Sequence, residues 1–189
     1  MSGTAHVHPE ATLVPNKIEL LAAWLPQQPW FDGDPTRLEK VAAFRLVDPD
    51  GEVGLDCMLI ASNGSVFHVP LTWRDAPVDS ADLIGTLEHS VLGTRYCYDA
   101  PTDPIYMAEV ARVIREADTD ADVVAEGEGD ARARTISVHG TGSATGKKLG
   151  GVPVILRKLD GIWPEADAHL IGTWKPHGTG RTDVLATLG

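Results

Sequence analysis

The dipeptide Asn63-Gly64 lies between two apolar runs and is the strongest local constraint on the fold. A type I′ turn needs positive φ at both central positions, and Asn followed by Gly satisfies that requirement well. The pair therefore predicts a β-hairpin between residues 54–61 and 65–73. A third β-like run, residues 38–47, precedes them, and together the three runs predict an antiparallel meander.

Three other segments have the apolar spacing of short helices. In the first, Ile18, Leu21 and Leu25 fall on one helical face before Pro26 ends the run. The predicted helices are residues 17–25, 79–92 and 103–117. Further strands are predicted at residues 95–98, 134–139, 152–159, 168–174 and 183–188. The chain has 19 Gly and 13 Pro, which favours many short strands, so the predicted fold class is α+β: a mainly antiparallel sheet with two or three short helices packed on it.

Composition excludes several classes of protein. A net charge of −11 is unfavourable for nucleic-acid binding, because that binding depends on neutralising phosphates with Lys and Arg. No apolar run approaches 18 residues, and the first ten residues have no basic start or apolar stretch, so we expect no membrane partner and a cytoplasmic location. Two cysteines, Cys57 and Cys97, are too few for a disulfide framework and are predicted to be buried thiols.

Charge divides the chain into two parts. Residues 1–130 hold 8 Lys and Arg against 23 Asp and Glu, whereas residues 131–189 hold 8 against 4. The boundary is the acidic run 116–130, which contains seven acids and no base. The predicted organisation is a flexible tail (1–12), an α+β region (13–118), an acidic linker or loop (119–130) and a β-rich segment (131–189) that docks on the first part.

Motif inspection gives no catalytic residue. Residues 140–148 resemble a phosphate-binding loop, but the chain lacks the Ser or Thr that should follow the lysine. Two His-Gly-Thr-Gly segments suit tight turns better than catalysis. Exposed imidazole or indole groups could still face a ligand. The candidates for that role are His139, His177, Trp163 and Trp174. No metal site and no cofactor are predicted.

Three segments together resemble one known family. They are QPWF at residues 28–31, VPLTWR at 69–74 and YDAPTDP at 98–104, and their order and spacing are similar to those of the N-terminal cap domain of actinobacterial maltokinases. The resemblance covers residues 13–118. Its motif residues are expected to be structural: Trp30, Phe31, Pro70, Leu71, Trp73, Tyr98, Asp99, Asp103 and Pro104.

The resemblance implies that such a cap precedes a kinase region that phosphorylates maltose with ATP, and that it packs on the nucleotide-binding lobe. Residues 154–159 are similar to the strand that carries the ATP-binding lysine of that lobe, and Arg157 or Lys158 would be its counterpart. Nothing in the sequence corresponds to the catalytic Asp and Asn or to the metal-binding Asp that phosphoryl transfer requires. A complete kinase is therefore not expected.

The predicted function is a non-catalytic interaction or regulatory module of α-glucan, maltose, trehalose or glycogen metabolism. Its partner would be a protein of carbohydrate metabolism or a second copy of the chain. Two alternatives stay open at this point: an independent sugar-binding module and a small enzyme of unrecognised type.

Overall fold

A computed structural model describes residues 3–143, 146 and 148–189. These residues form thirteen strands and two α-helices. The strands are β1 (Thr4–Val7), β2 (Leu13–Val14), β3 (Glu39–Val47), β4 (Gly54–Ser62), β5 (Ser65–Arg74), β6 (Leu83–His89), β7 (Gly93–Asp99), β8 (Asp122–Ala125), β9 (Ile136–Gly140), β10 (Val154–Ile155), β11 (Lys158–Leu159), β12 (Ala168–Trp174) and β13 (Arg181–Leu188). The helices are α1 (Lys17–Trp24) and α2 (Pro104–Arg115).

Most strands belong to two antiparallel sheets. The larger sheet has the order β2-β6-β7-β5-β4-β3, and β11 pairs with the beginning of β5. The smaller sheet has the order β10-β13-β12-β9, while β1 and β8 form a separate parallel pair. The fold class is therefore α+β with mainly antiparallel pairing, as predicted.

The hairpin at Asn63-Gly64 is confirmed. Asn63 has φ 50° and Gly64 has φ 80°, so both central residues take the positive φ that a type I′ turn requires. Ser62 lies opposite Ser65, and the register continues unbroken to Gly54 opposite Trp73. This turn fixes which side chains of β4 and β5 share a face.

Each face of the larger sheet is covered by one helix. Helix α1 begins with a capping box, in which the Asn16 side chain accepts from the Glu19 amide and the Glu19 side chain accepts from the Asn16 amide. Its apolar side packs on one face of the sheet. The buried residues of this cluster are Leu20, Leu21, Leu25, Met58, Ile60, Phe67, Val69, Leu71 and Cys97.

Helix α2 lies on the opposite face, where the smaller sheet also packs. Tyr106, Val110 and Ile114 of α2 are fully buried there. They share one core with Leu55 and Leu59 of β4. The smaller sheet adds Ile136, Val138, Leu170, Trp174, Leu185 and Leu188 to the same cluster. The part of the chain after residue 130 thus shares a continuous apolar core with the part before it.

The prediction of a helix over residues 79–92 is wrong. Residues 83–89 form strand β6, which pairs with β7. The spacing of Leu83 and Leu87 fits a helix, but Leu87 is buried whereas Leu83 is 53% exposed. Gly85 explains the close packing of this strand, because a Cβ at that position would lie 2.7 Å from Leu20 Cδ1. Pairing with a distant strand overrides the local pattern here.

The acidic run and the N-terminal segment meet in the structure. Strand β8 lies within residues 119–130, which are predicted to be a linker or loop. It pairs with β1, which lies in the predicted tail at residues 1–12. Asp120 is buried, and its carboxylate accepts from the Val138 amide at 2.8 Å. The division of the chain into domains stays a prediction. Among the described residues, no helix is long and apolar enough to cross a membrane.

Candidate functional site

The first motif supplies an aromatic cluster beneath α1. The Phe31 and Phe67 ring centroids are 4.8 Å apart, and the Trp30 centroid lies 6.2 Å from that of Phe67. Trp24, at the end of α1, contacts Trp30 edge-on at 5.8 Å. Tilted and edge-on ring contacts of this kind stabilise aromatic packing. These rings attach the loop after α1 to the centre of the larger sheet.

The second motif contains a proline in the middle of a buried strand. Pro70 lies opposite Cys57 in β4. On its other side β5 changes partner, from β11 opposite Phe67 to β7 opposite Leu71. A proline has no N–H to donate, and it is tolerated where no strand needs that donor. Leu71 itself is fully buried. Pro70 thus lies at the junction between the two partner strands.

The third motif provides a buried carboxylate that caps α2. Asp103 accepts from the Thr72 hydroxyl at 2.8 Å, the Arg74 guanidinium at 2.9 Å and the Ile105 amide at 3.0 Å. Pro104 follows at the first helical position, which suits its fixed φ. The side chain of Asp103 is completely buried. This network joins the second and third motifs to the start of α2.

Tyr98 and Asp99 make further contacts within the same region. The buried Tyr98 hydroxyl accepts from the Val78 amide at 2.8 Å. Arg157 Nη2 donates to Asp99 Oδ1 at 2.6 Å, and the Arg157 guanidinium lies 4.8 Å from the Trp30 ring centroid. Burial raises the pKa of Asp99, and hydrogen bonding to Arg157 offsets part of that rise. Arg157 therefore connects two motif residues to the C-terminal part of the chain.

Arg157 and Lys158 both bind carboxylates of the cap-like part. The resemblance makes one or the other the counterpart of an ATP-binding lysine. Lys158 pairs with Asp32 in an exposed contact, whereas the pair of Arg157 and Asp99 is mostly buried. The backbone of Arg157 also accepts from the His68 amide at 2.8 Å. These interactions attach β11 to the larger sheet.

The three ligand-facing candidates whose side chains the structure describes, His139, Trp163 and Trp174, differ in exposure. His139 is exposed on β9, and Trp163 is 52% exposed with its ring centroid 6.0 Å from that of His169. Trp174 is 2% exposed and donates to Asp183 at 2.9 Å. The structure thus corrects the expectation for Trp174, which lies in the core because its inward-facing position in β12 packs on the shared apolar cluster. The side chain of His177 lies outside the described part of the chain.

A cleft that no sequence pattern predicts lies in front of the first turn of α1. It has a volume of about 1500 Å³, and residues 4–13 form one wall while β3 and β4 form the floor. Trp73, a motif residue, lines it. Seven Lys and Arg and five Asp and Glu line the cleft, whereas the chain as a whole has 16 against 27. The cleft is therefore more basic than the rest of this acidic protein.

A buried ion cluster lies at the floor of this cleft. Asp56 accepts from the Lys17 ammonium, and Arg45 Nη2 lies 3.6 Å from the same carboxylate. The Lys17 ammonium also lies 5.4 Å from the Trp73 ring centroid. Burial alone would raise the pKa of Asp56, but the charges of Lys17 and Arg45 outweigh burial and hold it well below its usual range. Two cations share one carboxylate, which leaves an excess of positive charge at this point.

The sequence does contain one signal for this cluster. Asp56 interrupts an otherwise apolar run in β4, and a charged residue in such a run needs a partner when it is buried. The sequence pattern does not identify the partners of Asp56, because Lys17 and Trp73 are far from it along the chain. In the described ranges, no three His, Cys, Asp or Glu side chains converge to hold a metal ion.

Fold and contacts define an antiparallel-sheet domain in which three sequence motifs meet around β5, β7 and the start of α2. Residues 24–103 match the family model of the maltokinase N-terminal cap domain. The resemblance seen in the motifs is therefore confirmed for this part of the chain, and Arg157, which contacts two motif residues, lies outside the match. Neither a search of curated proteins nor a search of solved structures found a match.

Proposed function

We propose that this protein is a non-catalytic interaction or regulatory module of maltose, trehalose and glycogen metabolism, and that it works by contact with another protein. The observation that carries the proposal is the match of residues 24–103 to the maltokinase cap domain. A cap is an accessory part of an enzyme, so a related domain is expected to work beside a catalytic protein.

The hydrogen bonds of the motif carboxylates Asp99 and Asp103 support a structural role for these residues. Asp103 is bound by Thr72, Arg74 and the Ile105 amide, and Asp99 is bound by Arg157. Carboxylates bound in this way position the sheet against α2 and β11. These contacts favour a structural role for Asp99 and Asp103, in which they maintain the fold, over a role in proton transfer.

Exposed apolar side chains on the C-terminal part support protein contact. Among the described large hydrophobic residues, Val152, Val154, Ile162 and Trp163 are 72%, 64%, 66% and 52% exposed. Such residues are typical of surfaces that bind other proteins, and a tryptophan is a frequent anchor of an interface. The exposed indole of Trp163 is also the feature that favours the alternative, a sugar-binding module.

Affinity capture with the full chain from its native cell tests the proposal. We expect a maltokinase, or another enzyme that converts maltose, trehalose or glycogen, to be captured and to bind the chain again when both are purified. The Trp163→Ser variant should weaken this binding. Val91→Asp is the control, because Val91 is 59% exposed in the turn between β6 and β7 and does not belong to the exposed group at residues 152–163.

Two results would count against the proposal. One is capture of no enzyme of this metabolism that binds again in purified form. The other is saturable binding of maltose or trehalose by the wild type that Trp163→Ser abolishes, which would favour the sugar-binding alternative.

A further inference from the structure

Two buried donors on the sheet face of the cleft lack an acceptor. Trp73 Nε1 and Arg95 Nε are both buried, and within the described part of the chain neither has a hydrogen-bond partner. Both residues line the cleft. Trp73 lies opposite Cys97, two residues from Arg95 on β7, so the two backbone positions are diagonal neighbours on one face, about 7–8 Å apart. A buried N–H without an acceptor costs free energy, so two such donors at one place indicate a ligand that accepts hydrogen bonds.

Further positively charged and donor groups surround this point. Partial burial lowers the pKa of His89, and electrostatic interaction with the basic side chains of His8, Arg95 and Lys17 lowers it further. The His8 and His89 ring centroids are 5.7 Å apart, and both residues line the cleft. His89 Nδ1 accepts from the Val91 and Leu92 amides, both at 3.2 Å. Because Nδ1 is an acceptor, the proton of neutral His89 lies on Nε2, which is then a donor.

Carboxylates that line the cleft offset only part of its positive charge. Asp56 is already bound by Lys17 and Arg45. Asp75 is exposed at the end of β5 and Glu52 is exposed in the turn before β4, and no ion pair joins either of them to a described basic residue.

We propose that this cleft binds a small molecule through an oxyanion, a phosphate or a carboxylate, held by Arg95, Trp73, His89 and Lys17. Arg95 and Lys17 would supply charge, while the Trp73 and His89 N–H groups would supply neutral hydrogen bonds to the oxygen atoms. Charge-assisted hydrogen bonds of this kind are short and strong. The inference goes beyond the proposed function and does not rest on it, because it concerns a small ligand and not a protein partner.

Calorimetric titration of the full chain with inorganic phosphate and, separately, with succinate tests the inference and distinguishes the two oxyanions. Ionic strength is held constant, chloride serves as a test of charge screening, and tryptophan fluorescence is followed in parallel. We expect saturable binding of one of the two probes, with a change in fluorescence that chloride does not produce.

Two variants with matched controls assign the site. Arg95→Met keeps the length of the side chain but removes its charge, and it should weaken binding at least about tenfold. Trp73→Phe keeps a ring for packing but removes the N–H, and it should weaken binding and abolish the fluorescence change. Arg37→Met and Trp163→Phe alter exposed residues outside the cleft and should bind as the wild type does.

The inference is overturned if neither probe binds saturably, if chloride has the same effect, or if both cleft variants bind as tightly as the wild type. Should Arg95→Met fail to fold, as shown by its thermal melt, Trp73→Phe decides the question by itself. Loss of anion binding would leave capture of a protein partner unaffected, so failure of this inference and failure of the proposed function give different results.

Discussion

Arg157 Nη2 donates to Asp99 Oδ1 at 2.6 Å, and both side chains are mostly buried. The pair joins the residue that precedes β11 to the end of β7, and therefore the C-terminal part of the chain to the region that matches the cap domain. Asp99 belongs to a motif that is recognisable from sequence, whereas its partner lies 58 residues further along the chain. The contact explains why an acid is placed at the end of a buried strand.

Arg157→Met should destabilise the protein by about 3 kcal/mol, because removal of one partner leaves the Asp99 carboxylate buried and unpaired. Urea unfolding followed by circular dichroism measures this change. Lys158→Met is the matched control and should cost at most about 1 kcal/mol, since its pair with Asp32 is largely exposed. Adding Asp99→Asn to Arg157→Met should recover part of the loss. Equal effects of the two single variants would contradict the assignment.

Asp103→Ala should destabilise the protein by about 3 kcal/mol, because it removes the cap of α2 and leaves the mostly buried Arg74 charge without its partner. Thr72→Val should cost only about 1 kcal/mol, since Asp103 keeps its contacts with Arg74 and Ile105. Chemical denaturation of both variants gives these values. Asp79→Ala, at an exposed position, is the control. A loss for Asp103→Ala no larger than that of the control would show that the network does not stabilise the fold.

Local signals in the sequence predict the centre of the fold well. Asn63-Gly64 fixes a hairpin by its own turn geometry, and the alternation on either side fixes which residues face α1. Strand β6 shows the limit of such signals, because Leu83 and Leu87 fit a helix equally well. Its true pairing depends on β7 and on the contact between Gly85 and Leu20. Local spacing cannot predict such a pairing, because it depends on residues that are distant along the chain.

The cleft could not be predicted for the same reason. Lys17, Trp73 and Arg95 come from α1, β5 and β7, and no spacing along the chain links them. Only the register of β5 against β7 places Trp73 and Arg95 on one face. The motif residues were recognisable as a set, but sequence alone did not show that Arg157 binds one of them and stacks on another.

His68 should make the fold sensitive to mild acid. Burial and, to a smaller extent, the charge of Arg157 lower the pKa of His68 from an ordinary value of 6.5 to about 3. Below pH 6.5 the unfolded chain therefore binds a proton that the folded chain does not, and stability falls as the pH falls. The loss should be about 2 kcal/mol between pH 6.5 and pH 5.

Urea unfolding of the wild type and of His68→Gln across this pH range tests the assignment of the acid sensitivity. The variant keeps a polar group near the Leu156 carbonyl but does not titrate. Its free energy of unfolding should depend on pH less steeply than that of the wild type, by the same amount. Identical slopes for the two proteins would assign the acid sensitivity to other groups.

Leu170→Ala should destabilise the whole protein, and not only the smaller sheet. Leu170 is fully buried in the apolar cluster that also contains Leu59 of β4 and Val110 of α2. A cavity at this position should cost about 2–5 kcal/mol. Because the two parts of the chain share one core, tryptophan fluorescence and far-ultraviolet circular dichroism should report a single transition at the same, lowered midpoint. Val154→Ala, at a residue that is 64% exposed, should leave the midpoint unchanged. Two separate transitions in Leu170→Ala, with the first part unfolding as in the wild type, would instead mean that residues 131–189 form an independent unit.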